Sequence, residues 1–522
     1  MVGVDLWPIR RFPVQNSVFT YYSQLNLAVG DLVVAPFRGG FLRAIVVGTN
    51  GPAPDNAKEV TTVLAKGFLS RAEIGLMADL GAELLTSPNT LLTMAGLDRL
   101  PIIDRAIPSN DFLAPSDGAS IQLSFTPAEI QDIRQYLAIN SPTVAIGDNF
   151  KIGWGVIYGL LKQPGHSLIL VPTKEWLTRT AAVLLGVKGV KIDSPSLPVK
   201  IRAQLWADWR TGKIKHLVGT RSSIFRLPPK LTNIFLLQAE HDEYNESRRP
   251  PFYSAVTLAT KLASAHSAKL WLQDPLPSFS TNTVWPVRLI TEPEVVDLHQ
   301  PLNSPAGDLL SLVAVEELTA NLAAGERSII YLNRVGVGKF WRCNKCGWLP
   351  LCQCGELPLI RADDLKCTAC GAEMWWPERC VVCPNKELKL VGMGLTSLKK
   401  ELLKLFPQLK IEVWSKTEQP AEHWEILLTT SIFLERPPIS SRFPKCQLFI
   451  NALWELDLNH ASPRARLEAV RVARELQFSA TDAKAKLLIQ TWYPDFLIGI
   501  NDPARLVKTE LSELTKFAKI AE

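Results

Sequence analysis

No uncharged apolar run in the 522-residue chain reaches the roughly 18 residues that a membrane-spanning helix needs. No opening segment joins basic, apolar and small-residue regions in the order of a secretory signal. Together these absences set the expectation of a cytoplasmic protein. Cysteine is missing from the first 342 residues, and beyond Cys383 only Cys446 carries a thiol. That gap argues against a disulfide framework spread through the fold and favours a reducing compartment. A large charge surplus is lacking too: 57 Lys and Arg face 51 Asp and Glu, for a net charge of +6. Such a surplus permits an anionic partner without demanding one. Internal repeats and low-complexity tracts are also absent.

What is present is ordinary for globular protein, with 47% hydrophobic and 21% charged residues. At roughly 100–200 residues per domain, three or four domains are expected. Short β-rich runs with Gly/Pro turns, "DLVVAPFRGG", "FLRAIVVGTN" and "EVTTVL", predict a small antiparallel domain at the start. "SRAEIGLMADLGAELLTS" has helical spacing, and the Pro-, Ser- and Asp-rich residues 101–120 read as a linker. "FTPAEIQDIRQYLA" then predicts a helix capped by Thr126, with Pro127 in its first turn. The continuous apolar runs "SLILVP", "HLVGT", "IFLLQ" and "KLWLQD" are the signature of buried parallel strands in an α/β layer. "SIIYLN", "EILLTT", "QLFINAL" and "KLLIQTWYP" predict a second α/β lobe, interrupted after its first strand by the cysteines.

The cysteine block holds three C-x2-C pairs, Cys343/Cys346, Cys367/Cys370 and Cys380/Cys383, and one C-x-C pair, Cys352/Cys354. A tight turn that delivers two thiolates at once suits tetrahedral zinc, and four pairs imply two ions in closed, structural Cys₄ sites. Spacing leaves open which pair joins which. The C-x-C turn lacks one residue of the usual amide cradle around sulphur, which predicts a weaker site for Cys352 and Cys354. Trp375 and Trp376, inside the block, are expected to pack the small metal domain.

Several stretches together resemble the primosomal protein N′ family, the replication-restart helicase PriA. "FPVQNSVFTYY" with "VGDLVVAPFRGG" is similar to that family's N-terminal domain, which binds the 3′ end of a DNA strand at a fork. "VGTRSSIF" matches a helicase-lobe motif, and "EHDEY" sits at the family's DEEH box. "YLNRVGVGKFWRCNKCGW" leads into the cysteines as the family's second lobe does, and "IQTWYPD" matches its closing strand. The resemblance implies an α/β fold with two RecA-like helicase lobes, a small N-terminal β domain and a zinc-binding insertion in the second lobe. It divides the chain into residues 1–70 (3′-end-binding-like β domain), 71–120 (helical segment and linker) and 121–290 (first lobe). Residues 291–341 and 385–498 then form the second lobe, 342–384 the metal insertion and 499–522 a short tail, without the family's winged-helix and C-terminal domains.

The chain departs from the family at its ATP chemistry. "AIGDNFKIGWGVIYGLL" stands where a Gly-rich loop should end in Gly-Lys-Ser/Thr; Lys151 is followed by Ile and Gly, and Phe150 and Trp154 crowd the segment. Gln238 and Ala239 replace the family's metal-binding Asp and water-activating Glu, while Glu240 and His241 remain, the histidine read as a satisfied partner beside Asp242. The Ser-Ala-Thr motif is reduced to Pro277 and Ser278. The arginine-finger segment is reduced to Arg471 and Arg474. No catalytic and no nucleotide-binding residue is therefore expected. For DNA, the resemblance places Phe19, Tyr21, Arg38 and Lys58 at the strand-end site, with Thr20 in place of the family's Asp. Base stacking by Phe19 and Tyr21 and a purely structural role in the β domain are both open on sequence. The basic pairs Arg10/Arg11 and Arg248/Arg249 read as solvated surface.

The expectation is a replication-restart protein that recognises forked or single-stranded DNA and assembles primosome proteins without ATP-driven unwinding. An active ATP-dependent 3′–5′ helicase and a protein-binding scaffold without DNA affinity are its rivals.

Overall fold

The computed structural model describes residues 2–99, 125–276, 292–348, 379–434, 446–457 and 465–497 apart from short breaks within them, together with strands at 359–361 and 364–366 and a few isolated positions. The chain divides into two compact units, one built chiefly from residues 1–146 and 152–274, the other from residues 147–151, 275–280 and 286 onward.

The first unit begins with strands β1 (Val2–Pro8), β2 (Phe19–Ser23), β3 (Leu32–Phe37), β4 (Gly40–Gly48) and β5 (Thr62–Ala65). They form an antiparallel sheet in the order β2-β1-β4-β3-β5. Alternation decides the inner face: Val4, Leu6, Tyr21, Val33, Ala35, Ala44 and Val46 make one buried cluster. The β3–β4 hairpin turns on Arg38 and Gly39, at φ 48° and 80°. Two left-handed residues in succession give the turn whose twist matches that of the strands. Helices α1 (Arg71–Glu83) and α2 (Pro88–Met94) follow. Ser70 and Glu73 close a capping box at the start of α1.

The next layer holds α3 (Pro127–Ala138), β6 (Thr143–Ile146), α4 (Phe150–Leu161), β7 (Ser167–Leu170), α5 (Lys174–Val183), β8 (Val190–Asp193), α6 (Val199–Arg210) and β9 (His216–Gly219). It continues with β10 (Asn233–Leu237), a small ladder of β11 (Asn245–Glu246) and β12 (Tyr253–Ser254), α7 (Ala255–His266) and β13 (Lys269–Gln273). The main strands pair in parallel in the order β6-β13-β10-β7-β9-β8. The central strands β7 and β10 are buried throughout, as helices on both faces require.

Charged side chains tie α1 and α2 to this lobe. Arg210 at the end of α6 reaches the Phe68 carbonyl and both oxygens of Glu73, one at 3.0 Å. Arg226 donates to the Met94 carbonyl and lies 3.6 Å from the Trp206 ring centroid. Gly96, at φ 80°, lets the backbone come so close that a Cβ there would sit 2.1 Å from Trp206. Burial opposes the Glu73 charge, but Arg210 outweighs it and holds the carboxyl below its ordinary range. Removing one partner of a buried pair strands the other, so Arg210→Ala is expected to destabilise by about 3 kcal/mol. Glu73's lowered pKa makes its contribution full above the unfolded value and lost on acidification. The penalty should therefore shrink below about pH 4 in urea titrations.

The second unit contains β14 (Glu294–Asp297), α8 (Leu312–Ala323), β15 (Arg327–Tyr331), β16 (Lys339–Cys343), β17 (Leu359–Arg361), β18 (Asp364–Lys366), β19 (Leu388–Gly392), α9 (Leu395–Leu405), β20 (Ile411–Trp414), β21 (Ile426–Thr429), β22 (Cys446–Asn451), a helix at Ala465–Ala483, and β23 (Lys486–Thr491). Its parallel sheet runs β14-β23-β22-β15-β21-β20. Buried apolar residues line both of its faces. Strands β16 and β19 leave this layer as an antiparallel ribbon that carries the cysteines. No described helix is long and apolar enough to cross a membrane.

Candidate functional site

Three places in the fold gather the residues to which the sequence points. The first is the cysteine ribbon. Cys343 ends β16, Cys346 lies in the turn beyond it, and Cys380 and Cys383 approach from the far side. All four Sγ atoms fall within 4.8 Å of one another, with Cys343–Cys383 at 3.6 Å and Cys346–Cys380 at 3.5 Å. Four thiolates set tetrahedrally at about 2.3 Å from an ion stand about 3.8 Å apart. The cluster is therefore shaped to hold a metal ion. Backbone N–H groups of Lys345, Val382 and Cys383 point at Sγ atoms from 3.4 Å, which moderates the charge of bound thiolates. This resolves the pairing that spacing leaves open: the first and last C-x2-C pairs share one site. Cys352, Cys354, Cys367 and Cys370, with Trp375 and Trp376, lie outside the described residues.

The second place is the carboxyl edge of the first parallel sheet. Strand β6 ends at Ile146 and α4 starts at Phe150, which leaves three residues between them. A phosphate-cradling motif of the Gly-x4-Gly-Lys-Ser/Thr type spans eight, the last of them opening the helix, so its loop is still the longer of the two. The Gln273 side chain is packed so closely against α4 that a Cβ on Gly153 would meet its Cγ at 2.9 Å. Gln273 also accepts the Gln238 N–H on its side-chain oxygen at 3.0 Å and the Ala239 N–H on its carbonyl at 2.8 Å. Gln238 itself is held at φ 50°, a left-handed conformation that costs a non-glycine residue roughly 1–2 kcal/mol. Glu240 is buried, and its N–H donates to Asp274 Oδ2 at 3.2 Å. His241 accepts the Glu243 N–H on Nδ1 at 3.1 Å and so caps a short turn. Arg221, from "VGTRSSIF", bonds Glu243 Oε2 at 2.6 Å and Glu246 Oε2 at 2.8 Å, so two matching motifs clasp each other. Arg248 and Arg249 are exposed. Pro277 and Ser278 lie outside the described residues.

The third place is the edge of the N-terminal sheet. Tyr21 is 5% exposed and its hydroxyl donates to the Pro36 carbonyl at 3.1 Å, which makes it a core residue of the β domain. Burial raises its pKa. Phe19 is half-buried in a three-ring cluster, 5.2 Å from Phe12 and 5.6 Å from Phe37 between centroids. The exposed Arg38 guanidinium stands 5.5 Å from the Phe37 ring. Glu59 bridges Tyr22, so the exposed Lys58 falls on the Tyr21 side of β2. Thr20 points to the opposite face, where its hydroxyl donates to Asp5 Oδ1 at 2.7 Å. Phe12 and Phe37 were missed on sequence, although each adjoins a quoted basic residue, Arg11 and Arg38. Alternation gives no warning that a residue beyond a strand's end will fold back over it.

Two parallel α/β lobes, the second interrupted by a cysteine ribbon, define a two-lobe α/β protein. No protein-family model matches the chain. Among curated proteins it is similar to replication restart protein PriA from three bacteria. The Bacillus subtilis protein is 25% identical over 48% of this chain and 34% of its own length. The Haemophilus influenzae protein is 26% identical over 64% and 50%. The Rickettsia prowazekii protein is 24% identical over 95% and 82%. The chain thus spans about a third to a half of the first two relatives. Among solved structures, RecG bound to a three-way DNA junction covers 75% of this chain, and the chain covers 47% of it, at 12% identity and a TM-score of 0.35, too distant to add to the topology described above. Similarity to PriA proteins that runs over 91–95% of the chain, at 24–25% identity, supports a place in that family.

Proposed function

We propose that this protein binds forked or single-stranded DNA during replication restart and helps to assemble primosome proteins, without ATP-driven unwinding. DNA binding is supported by the resemblance to PriA proteins and by the aromatic cluster with Arg38 beside it, Lys58 being exposed on the same small domain. Stacking of a base on such a ring is worth roughly 1–3 kcal/mol, and the two cations add salt-dependent attraction to phosphate. The observation that carries the loss of the motor is the three-residue connection from β6 to α4. It is shorter than the loop that cradles phosphate in the Gly-x4-Gly-Lys-Ser/Thr motif, no hydroxyl follows Lys151, and Gln238 offers Mg²⁺ a neutral amide in place of a carboxylate. The ribbon holds zinc, because four thiolates in a closed tetrahedron suit that ion best. Cys352, Cys354, Cys367 and Cys370 supply a second ion.

A DNA-stimulated ATPase assay and a fork-binding titration on the same preparation test this function. Expected are no turnover above background, and fork affinity that falls steeply with salt. Arg38→Asn should weaken binding several-fold while relieving the strained turn. Robust turnover abolished by Lys151→Ala would establish the helicase alternative, and salt-independent or absent fork binding would establish the scaffold.

A further inference from the structure

The residue just before the first metal ligand is Arg342, and it is only 4% exposed. Its guanidinium lies 5.4 Å from the Trp492 ring centroid. Trp492 stands at the carboxyl end of β23, and its N–H donates to the Glu455 carboxylate, which also accepts the Thr491 hydroxyl. The Arg342 charge favours ionised Glu455, against the burial that pushes this carboxyl upward. Two residues on, Asp457 accepts the Tyr331 hydroxyl at 3.0 Å. His299, beyond β14, meets the Trp492 ring edge-on at 5.3 Å. One end of the sheet thus buries two carboxyls, and a cation set against one of them, Glu455, comes from the metal ribbon. Buried charges persist only where a partner offsets their desolvation.

We propose that Arg342 is a positioning residue that couples metal occupancy of the cysteine cluster to the order of the second lobe's carboxyl edge. The inference rests on the metal reading of the ribbon. Strands β16 and β19 pair over only five residues each, and two isolated strands are marginal in water without a further staple. When the metal leaves, the ribbon frays, Arg342 is withdrawn, and Glu455 and Trp492 lose their cation. The device makes the lobe sense its own ribbon.

Hydrogen–deuterium exchange on the full chain, zinc-loaded and chelated, tests this coupling. Amides of 486–492 should exchange at least about tenfold faster after chelation, while those of 411–414, on the far strand of the same sheet, stay unchanged. Arg342→Ala should keep its zinc equivalents yet show the fast exchange before chelation, with no further response to it. Arg342→Lys retains charge without the planar stack and should fall between. Equal rates at 486–492 with and without zinc in the wild type would overturn the coupling. So would a zinc-loaded Arg342→Ala that exchanges like the wild type. If metal analysis finds no ion in the wild type, the metal reading falls and takes the coupling with it. If zinc is bound and exchange is indifferent to it, only the coupling fails.

Discussion

On the proposed zinc reading, stripping the ion from Cys343, Cys346, Cys380 and Cys383 should unravel the ribbon of β16 and β19, and this is the largest effect expected in the protein. The four sulphur atoms crowd within 4.8 Å. As thiolates they repel; as thiols they have little reason to stay together. Apparent binding free energies for structural zinc run about 10–16 kcal/mol near neutral pH, and in small metal domains that energy is folding energy. Limited proteolysis should therefore show the ribbon resistant when loaded and cut within the block after chelation. Cys380→Ser should lose one of two zinc equivalents and reproduce the cut. Cys352→Ser should lose the other and leave β16 and β19 protected. Full zinc retention by Cys380→Ser would dismiss the site as drawn.

Periodicity carried the fold a long way. "SLILVP", "HLVGT", "IFLLQ" and "KLWLQD" became β7, β9, β10 and β13, and the second series became the four adjacent strands β23, β22, β15 and β21. Strands buried on both faces leave unbroken apolar runs, and these were legible. The sheet margins were not: β14 (EVVD) and β20 (IEVW) are short, mixed and partly exposed, so they carry no such signature. The Thr126 cap with Pro127 was legible because capping is local. Long-range polar pairs were not. Asp193, wholly buried, takes the Ser223 hydroxyl at 2.8 Å and Arg202 and Arg226 at 3.1 and 3.2 Å, across 9 to 33 residues of sequence. At the candidate sites, cysteine spacing announced a metal but not the pairing, which needs the β16–β19 register. The candidate DNA-end residues were singled out through resemblance alone; Arg342, buried one position before a cysteine, looks on sequence like any basic residue.

Asp457→Asn should stabilise the protein above neutral pH and flatten its pH dependence. Asp457 is buried, and desolvation pushes its carboxyl up to about 7, while the Tyr331 hydroxyl pulls the other way and Glu455 pushes with burial. The unfolded carboxyl titrates near 3.9, so between roughly pH 4 and 7 the folded chain holds a proton that the unfolded chain has released. Stability from this proton is complete below about pH 4 and is lost as pH rises through about 7. Three pH units at 1.36 kcal/mol each make the loss about 4 kcal/mol. Glu455, raised in the same direction, adds to the slope. Asparagine keeps the oxygen that accepts the Tyr331 hydroxyl but never ionises. Urea unfolding followed by tryptophan fluorescence should therefore find variant and wild type within about 1 kcal/mol at pH 5, where both carry a neutral group at 457. By pH 8 the variant should lead by about 3 kcal/mol. Parallel stability curves from pH 5 to 8 would mean that the wild-type proton is not held there. The carboxyl edge would then have to bury the Asp457 charge beside Glu455, stabilised by the Tyr331 hydroxyl.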